Sequence, residues 1–168
     1  MQRRLILMRH AKSSWDGDAV SDHARPLAKR GKRDAERVAQ ELAERGWLPD
    51  IVYTSTARRA RQTWKRMARA LGDTGSGITV ITVDDFYMGD LDAIHGHAAR
   101  WPPEIDTVLV LGHNPGWEEA LHVLSGGDDP LTTGNAALLV GSGVTWVEAL
   151  EARWRQVALV RPREISDE

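Results

Sequence analysis

Leu5-Ile6-Leu7-Met8-Arg9-His10 sets four apolar residues in a row and follows them with a guanidinium and an imidazole. A short unbroken apolar run bounded by polar residues reads as a strand buried on both faces. Such strands belong to α/β sheets, whose ligands bind at the carboxyl ends of the strands. The arrangement recurs twice: Ile51-Val52-Tyr53-Thr54 runs into Ser55 and Arg59, and Val108-Leu109-Val110-Leu111-Gly112 runs into His113. Three strand ends thereby deliver two histidines and two arginines to one edge.

Around that stretch the chain alternates strand and helix. The first strand is expected over about 4–9, and a polar loop with Gly17 leads to Pro26. A helix within about 28–45 presents Ala35, Val38, Ala39 and Leu42 at helical spacing before Gly46 stops it. Ser55 or Thr56 is expected to cap a second helix, whose inward face is Ala60, Trp64, Met67, Ala68 and Leu71 and whose terminator is Gly72. A strand over about 78–83 precedes a helix over about 90–101, with Leu91, Ile94, Ala98 and Trp101 inward and Pro102-Pro103 beyond. The strand at 107–112 is followed by a helix that uses Trp117, Ala120, Leu121 and Leu124 and stops at Gly126-Gly127. Farther on, Ala136 to Val140 and Gln156 to Val160 read as strands, and Trp146 to Leu150 as a turn of either helix or strand. The pattern predicts an α/β fold, a three-layer α/β/α sandwich with a mainly parallel central sheet.

Composition sets the outer limits. With 168 residues and 42% hydrophobic content, the chain suits one domain over 1–168, able to bury roughly two thirds of its unfolded surface. The absence of cysteine excludes disulfides, thiolate metal sites and a cysteine nucleophile. The apolar run behind Met1-Gln2-Arg3-Arg4 is too short for a signal peptide or a membrane span, so a cytoplasmic protein with no membrane partner is expected. Net charge is −2, but residues 25–69 hold 13 Lys/Arg against 5 Asp/Glu. That stretch is either an anion-facing region or the solvated faces of two amphipathic helices. No aromatic stacking motif accompanies it, so no nucleic acid partner is expected. Trp15 and Trp47 fit a core, a substrate rim or an interface. A monomer is expected.

The chemistry of the shared edge follows from its residue types. A phosphate monoester or phosphoramidate carries about two negative charges, which fixed cations and oriented donors must offset before phosphorus is attacked. Arg9 and Arg59 meet that need, since each planar fork can hold two phosphate oxygens. His10 is the nucleophile closest to them, and nearby guanidinium groups keep its imidazole neutral. Attack would give a phosphohistidine intermediate and split hydrolysis into two displacements. His113 could donate to a non-bridging oxygen. The scheme needs no metal and no cofactor, and the chain lacks the Gly-rich Lys-Ser/Thr loop of nucleoside triphosphatases. A plain structural role competes for His10 and His113 taken singly, and it is the expected role of His23, His95, His97 and His122. His95 and His97, two apart on a helix, would point away from each other rather than chelate an ion.

Four ordered motifs carry a resemblance: Leu7-Met8-Arg9-His10-Ala11-Lys12-Ser13-Ser14-Trp15; Asp22-His23-Ala24-Arg25-Pro26-Leu27 with Gly31; Ser55 and Arg59-Ala60-x-Gln62-Thr63; and Leu111-Gly112-His113-Asn114-Pro115. Together they resemble the histidine phosphatase superfamily, specifically its SixA-type phosphohistidine phosphatase branch with a phosphoglycerate mutase-like fold. The resemblance implies that His10 accepts the phosphoryl group, that Arg9, Arg59 and His113 form the phosphate pocket, and that Arg25 adds a contact. Arg58 competes with Arg59 within its motif, and the family spacing favours Arg59. Lys12 and Ser13 lie close enough to touch substrate without an assignable role. Asp22 either orients Arg25 or forms a turn.

Two departures bear on function. Ala11 stands where the superfamily usually has glycine, which makes a positive φ less comfortable there. Superfamily members that act on alcohol phosphates usually carry a Glu or Asp that protonates the leaving oxygen, and here Asp84 and Asp85 are the nearest possible general acids, although a strand-end turn explains them equally. A departing alkoxide benefits greatly from a proton donor, whereas neutral imidazole leaves readily. The expected function is therefore a metal-independent, signal-transducing phosphatase acting on protein phosphohistidine through His10. The alternatives are a small-molecule phosphomonoesterase using Asp84 or Asp85, and a non-catalytic phosphate-binding regulatory module.

Overall fold

In the computed structural model, which describes residues 1–15, 17 and 19–165, the elements run β1 (Gln2–Arg9), α1 (Lys29–Glu44), β2 (Ile51–Ser55), α2 (Arg58–Ala70), α3 (Asp73–Ser76), β3 (Thr79–Val83), α4 (Leu91–Ala98), β4 (Thr107–Gly112), α5 (Gly116–Ser125), β5 (Ala136–Ser142), α6 (Trp146–Leu150) and β6 (Arg155–Val160). Short 3-10 turns occupy Asp84–Phe86 and Pro162–Glu164. The strands form one sheet in the order β3-β2-β4-β1-β5-β6. β1 to β4, β4 to β2 and β2 to β3 pair in parallel, and β5 and β6 add antiparallel.

The apolar runs are continuous because the central strands are covered on both faces. Leu5, Leu7, Val108, Val110 and Leu139 pack with residues of α4, α5 and α6. Ile6, Met8, Leu109, Leu111 and Leu138 turn the other way, onto Val38 and Leu42 of α1 and Trp64 and Met67 of α2. This period of two assigns each helix its layer, and the expected α/β/α sandwich with a mainly parallel sheet is what results. Trp47 is in the core with the Arg4 guanidinium 4.0 Å above its ring.

Several local expectations are corrected. α2 starts at Arg58 behind Ala57, which provides no side-chain cap. The Ser55 hydroxyl accepts the Ala57 N–H at 3.1 Å but serves chiefly at the sheet edge. α4 ends at Ala98, short of Trp101, whose indole N–H donates to His97 Nδ1 at 2.9 Å. The ambiguous 146–150 segment is the helix α6, capped by the Thr145 hydroxyl. The short α3, with glycines on either side, had no apolar stripe to announce it. Among the described residues no non-glycine has a positive φ, so Ala11 does not adopt the conformation that would strain it.

Arg3 is 0% exposed, although it belongs to an N-terminus that reads as merely basic. Its Nε and Nη atoms donate to the carbonyls of Gly143, Pro103, Ile105 and Val144. The buried cation thus ties β1 to the segment before β4 and the segment before α6, with no carboxylate partner among the described residues. Arg3→Met should leave those carbonyls without their donors and cost about 3 kcal/mol of stability. The check is a lowered urea midpoint with kcat/KM unchanged, because Arg3 lies at the end of β1 opposite His10.

Candidate active site

Register brings the two histidines together. Arg9 pairs with Gly112 in the β1–β4 ladder, so His10 and His113 leave adjacent strands at the same level. The His10 N–H donates to the Gly112 carbonyl at 3.1 Å, and the two imidazole centroids are 5.0 Å apart. Thr54 pairs with Leu111, which sets Ser55 one step on, and its hydroxyl lies 2.8 Å from His113 Nε2.

Each strand end is held by a helix or loop laid across it. The Ala11 N–H donates to the Thr63 hydroxyl at 3.0 Å, and that hydroxyl donates to the Arg59 carbonyl, which ties the loop after His10 to α2. Gln62 Oε1 accepts the Leu27 N–H at 2.8 Å. Gly31 lets α1 close onto the Lys12 backbone, where any Cβ would collide with the Lys12 carbonyl. From the other side the 131–135 loop contributes three contacts: the Leu131 carbonyl accepts from Arg9 Nη1, the Gly134 N–H donates to the His10 carbonyl, and the Asn135 carbonyl accepts the Arg9 N–H. Gly134 makes this turn at φ 79°, a conformation that favours glycine. Asn114 Nδ2 donates to that same Leu131 carbonyl at 2.7 Å.

His10 Nδ1 lies 2.7 Å from the Ala11 carbonyl, which can only accept, so Nδ1 carries the proton and Nε2 keeps its lone pair. Burial first, and then the charges of Arg59, Arg9 and Arg25, lower the His10 pKa to about 4 against the pull of that backbone bond. Arg9 precedes His10 in the chain, and Arg25 and Arg59 meet on the Asp22 carboxylate. His113 is pushed down to about 3, first by burial and then by His10 and Arg59. Among the described residues, Arg9 Nε and His113 Nδ1 are buried without a hydrogen-bond partner.

Asp22 organises the arginines, a role that reaches beyond orienting Arg25. Its carboxylate accepts from Arg25 Nη1 at 2.9 Å, Arg59 Nη2 at 3.0 Å and the Tyr87 hydroxyl at 2.6 Å, while its carbonyl accepts from Arg59 Nη1 at 2.7 Å. Tyr87 and these cations hold the Asp22 carboxyl well below the usual range, so it is ionised at any working pH. Tyr87 is raised chiefly by Asp22 and stays protonated. Its ring meets those of His113 at 5.5 Å and His23 at 4.7 Å.

The expected residues divide clearly. His10, His113, Arg9, Arg59 and Arg25 converge. Arg59 is buried, whereas Arg58 is exposed and its guanidinium reaches the Ala24 carbonyl at 3.5 Å. Arg25 is buried and already committed to Asp22, to the Ser13 hydroxyl and to the Ser14 carbonyl, with Trp15 beneath it at 3.3 Å. Lys12 is exposed. Asp84 and Asp85 are exposed in the 3-10 turn, with no side-chain hydrogen bond among the described residues. His23 bonds the Thr56 hydroxyl, His95 meets Glu151, His97 packs under Trp101, and His122 meets the Gly127 carbonyl. Among the described residues no group of three His, Cys, Asp or Glu is placed to hold a metal ion, and no helix is long and apolar enough to cross a membrane.

Residues 5–108 match the sequence profile of the histidine phosphatase superfamily (branch 1). An uncharacterized chloroplastic protein of Arabidopsis thaliana is 42% identical over 175 residues, covering 96% of this chain and 79% of that one. Mycobacterial relatives are matched over less than two thirds of their own length, with 63% covered in an uncharacterized Mycobacterium tuberculosis protein. Among solved structures, the "Putative Phosphohistidine Phosphatase SixA" of Nakamurella multipartitia superposes with a TM-score of 0.81 at 32% identity, covering 96% of this chain and 97% of that one. The protein histidine phosphatase SixA complexed with tungstate shares the fold, with a TM-score of 0.77 at 23% identity over 97% of this chain and 98% of that one.

Proposed function

The chain belongs to the histidine phosphatase superfamily, branch 1, and on that premise we propose that this phosphatase removes phosphoryl groups from protein phosphohistidine through a covalent intermediate on His10, without a metal. Support comes from the tautomer. The Nε2 lone pair of neutral His10 forms a bond to phosphorus as the substrate's P–N bond breaks, and the electron pair of that bond goes to the departing imidazole. Water then attacks phosphorus, the electron pair of the His10–phosphorus bond returns to Nε2, and the water's proton passes to solvent. Arg9 and Arg59 hold the equatorial oxygens, and Arg25 adds positive charge from behind Asp22. A Ser55 hydroxyl donating to Nε2 of His113, 2.8 Å away, would put the ring proton on Nδ1 and leave that atom as the donor for a phosphoryl oxygen. An unmet donor at Arg9 Nε or His113 Nδ1 costs about 1–3 kcal/mol, which a bound phosphoryl group would recover.

The observation that carries the substrate class is the state of Asp22. It is the one carboxylate hydrogen-bonded to the site arginines among the described residues, and it is held ionised. An ionised carboxylate protonates nothing, so the pocket suits leaving groups that depart unaided. Neutral imidazole is one, and an alkoxide is not. The rim supports a macromolecular substrate: Trp15, on Arg25, is 77% exposed, and Met88, beside Tyr87, is 88% exposed.

The test compares kcat/KM for a phosphohistidine peptide, an aryl phosphate and a panel of sugar phosphates. The peptide should exceed the sugar phosphates by about 10²-fold or more, the scale on which general acid catalysis acts, and the aryl phosphate should lie between. Equal rates on sugar phosphates that fall with Asp84→Asn or Asp85→Asn would replace this reading with the small-molecule one.

A further inference from the structure

The loop that backs His10 has a second face. There Arg30, Arg33 and Arg37 of α1, Arg163 of the C-terminal 3-10 turn, and Thr133 and Asn135 of the loop border a cavity of about 450 Å³. The spacing of the three α1 arginines puts them on one helix face. Among the described residues Asp34, 3.6 Å from Arg30, is the one carboxylate that lines the cavity, against four arginines. Arg33 and Arg163 have no side-chain hydrogen bond or ion pair among the described residues. Asn135 is only 1% exposed; its Oδ1 accepts the Thr132 hydroxyl at 3.0 Å, while its Nδ2 has no partner among the described residues.

We propose that this cavity is a second anion site, separate from the catalytic pocket, that binds a small ligand carrying at least two phosphate groups. Like charges gathered in one concavity repel one another and gain most from a compact polyanion. Arginine forks donate to phosphate oxygens in pairs, the neighbouring threonine hydroxyls can donate, and the cavity lies within the size range of small-molecule sites, about 300–1,000 Å³. An acidic peptide lying across the outer arginines would leave the recessed Thr133 and Asn135 unused, which favours the small ligand. Occupancy bears on the catalytic side through the backbone, since Gly134 donates to the His10 carbonyl and Asn135 accepts from the Arg9 N–H. The site does not depend on the phosphohistidine reading.

Calorimetric titration with inorganic pyrophosphate tests the proposal. In the Arg59→Ala protein, whose catalytic anion pocket is weakened, pyrophosphate should still bind with a stoichiometry of one. Adding Arg33→Ala and Arg163→Ala should weaken that binding tenfold or more. Adding Arg153→Ala and Arg155→Ala, which removes the same charge at two exposed positions elsewhere, should leave it unchanged. Absence of pyrophosphate binding, equal weakening by both pairs, or a tetra-aspartate peptide binding in place of pyrophosphate would each overturn the assignment.

Discussion

Replacing His10 with alanine should lower kcat/KM on a phosphohistidine peptide by about 10⁴-fold or more, because loss of a covalent nucleophile removes both displacement steps at once. Rapid quenching of the wild-type protein into alkali should trap an alkali-stable, acid-labile phosphoryl group that the variant lacks. Turnover of the variant at wild-type rate, with nothing trapped in either protein, would end the covalent mechanism and leave a phosphate-binding module as the better account. The pH dependence follows from the same group. His10 must be neutral to attack, and its folded-state pKa is about 4, below the usual 6.5. Activity on an aryl phosphate, corrected for substrate ionisation, should therefore stay flat from neutrality to about pH 5 and fall tenfold per unit below pH 4. Stability moves in the same direction. The unfolded imidazole takes up its proton first, so the stability associated with His10 is present above pH 6.5 and is lost as pH falls toward 4.

The parts of this site that were legible in the sequence are those that the sheet determines. Buried strands write themselves as apolar runs, a run that stops at Arg9-His10 or Gly112-His113 marks a carboxyl edge, and parallel pairing of the two runs then sets the imidazoles side by side. The preference for Arg59 over Arg58 comes from the resemblance, whose spacing favours it, and the structure buries Arg59 on the same helix face as Thr63 and Met67. What escaped is held by contacts with no period. Tyr87 meets Asp22 across 65 residues, from a turn whose neighbours Asp84 and Asp85 looked chemically more useful. Ser55 looked like a helix cap because residues of its type usually serve as one at that place, yet the helix begins three residues later and the hydroxyl serves His113. A signal for Arg3 did exist. It shares strand parity with Leu5 and Leu7, which face the α4–α6 layer, and so it had to be buried or to end the sheet.

Arg59→Ala should reduce kcat/KM by about 10³-fold, near 4 kcal/mol of transition-state stabilisation, the scale on which a guanidinium acts in phosphoryl transfer. The fold should tolerate the change, because Asp22 keeps Arg25 and Tyr87 as partners and Thr63 bonds only the backbone of residue 59. Arg59→Lys should fall between the two, since an ammonium supplies the charge without the fork. A distinct signature separates this role from simple loss of packing. The Arg59 charge helps hold the His10 pKa down, so its removal must let that pKa rise and move the acid limb of the pH profile from about 4 toward neutrality. The lysine variant, which keeps the charge, should leave the limb near its original place while still losing rate. An acid limb that stayed fixed in the alanine variant would mean that Arg59 does not act on His10, and the electrostatic account of the nucleophile would fall with it.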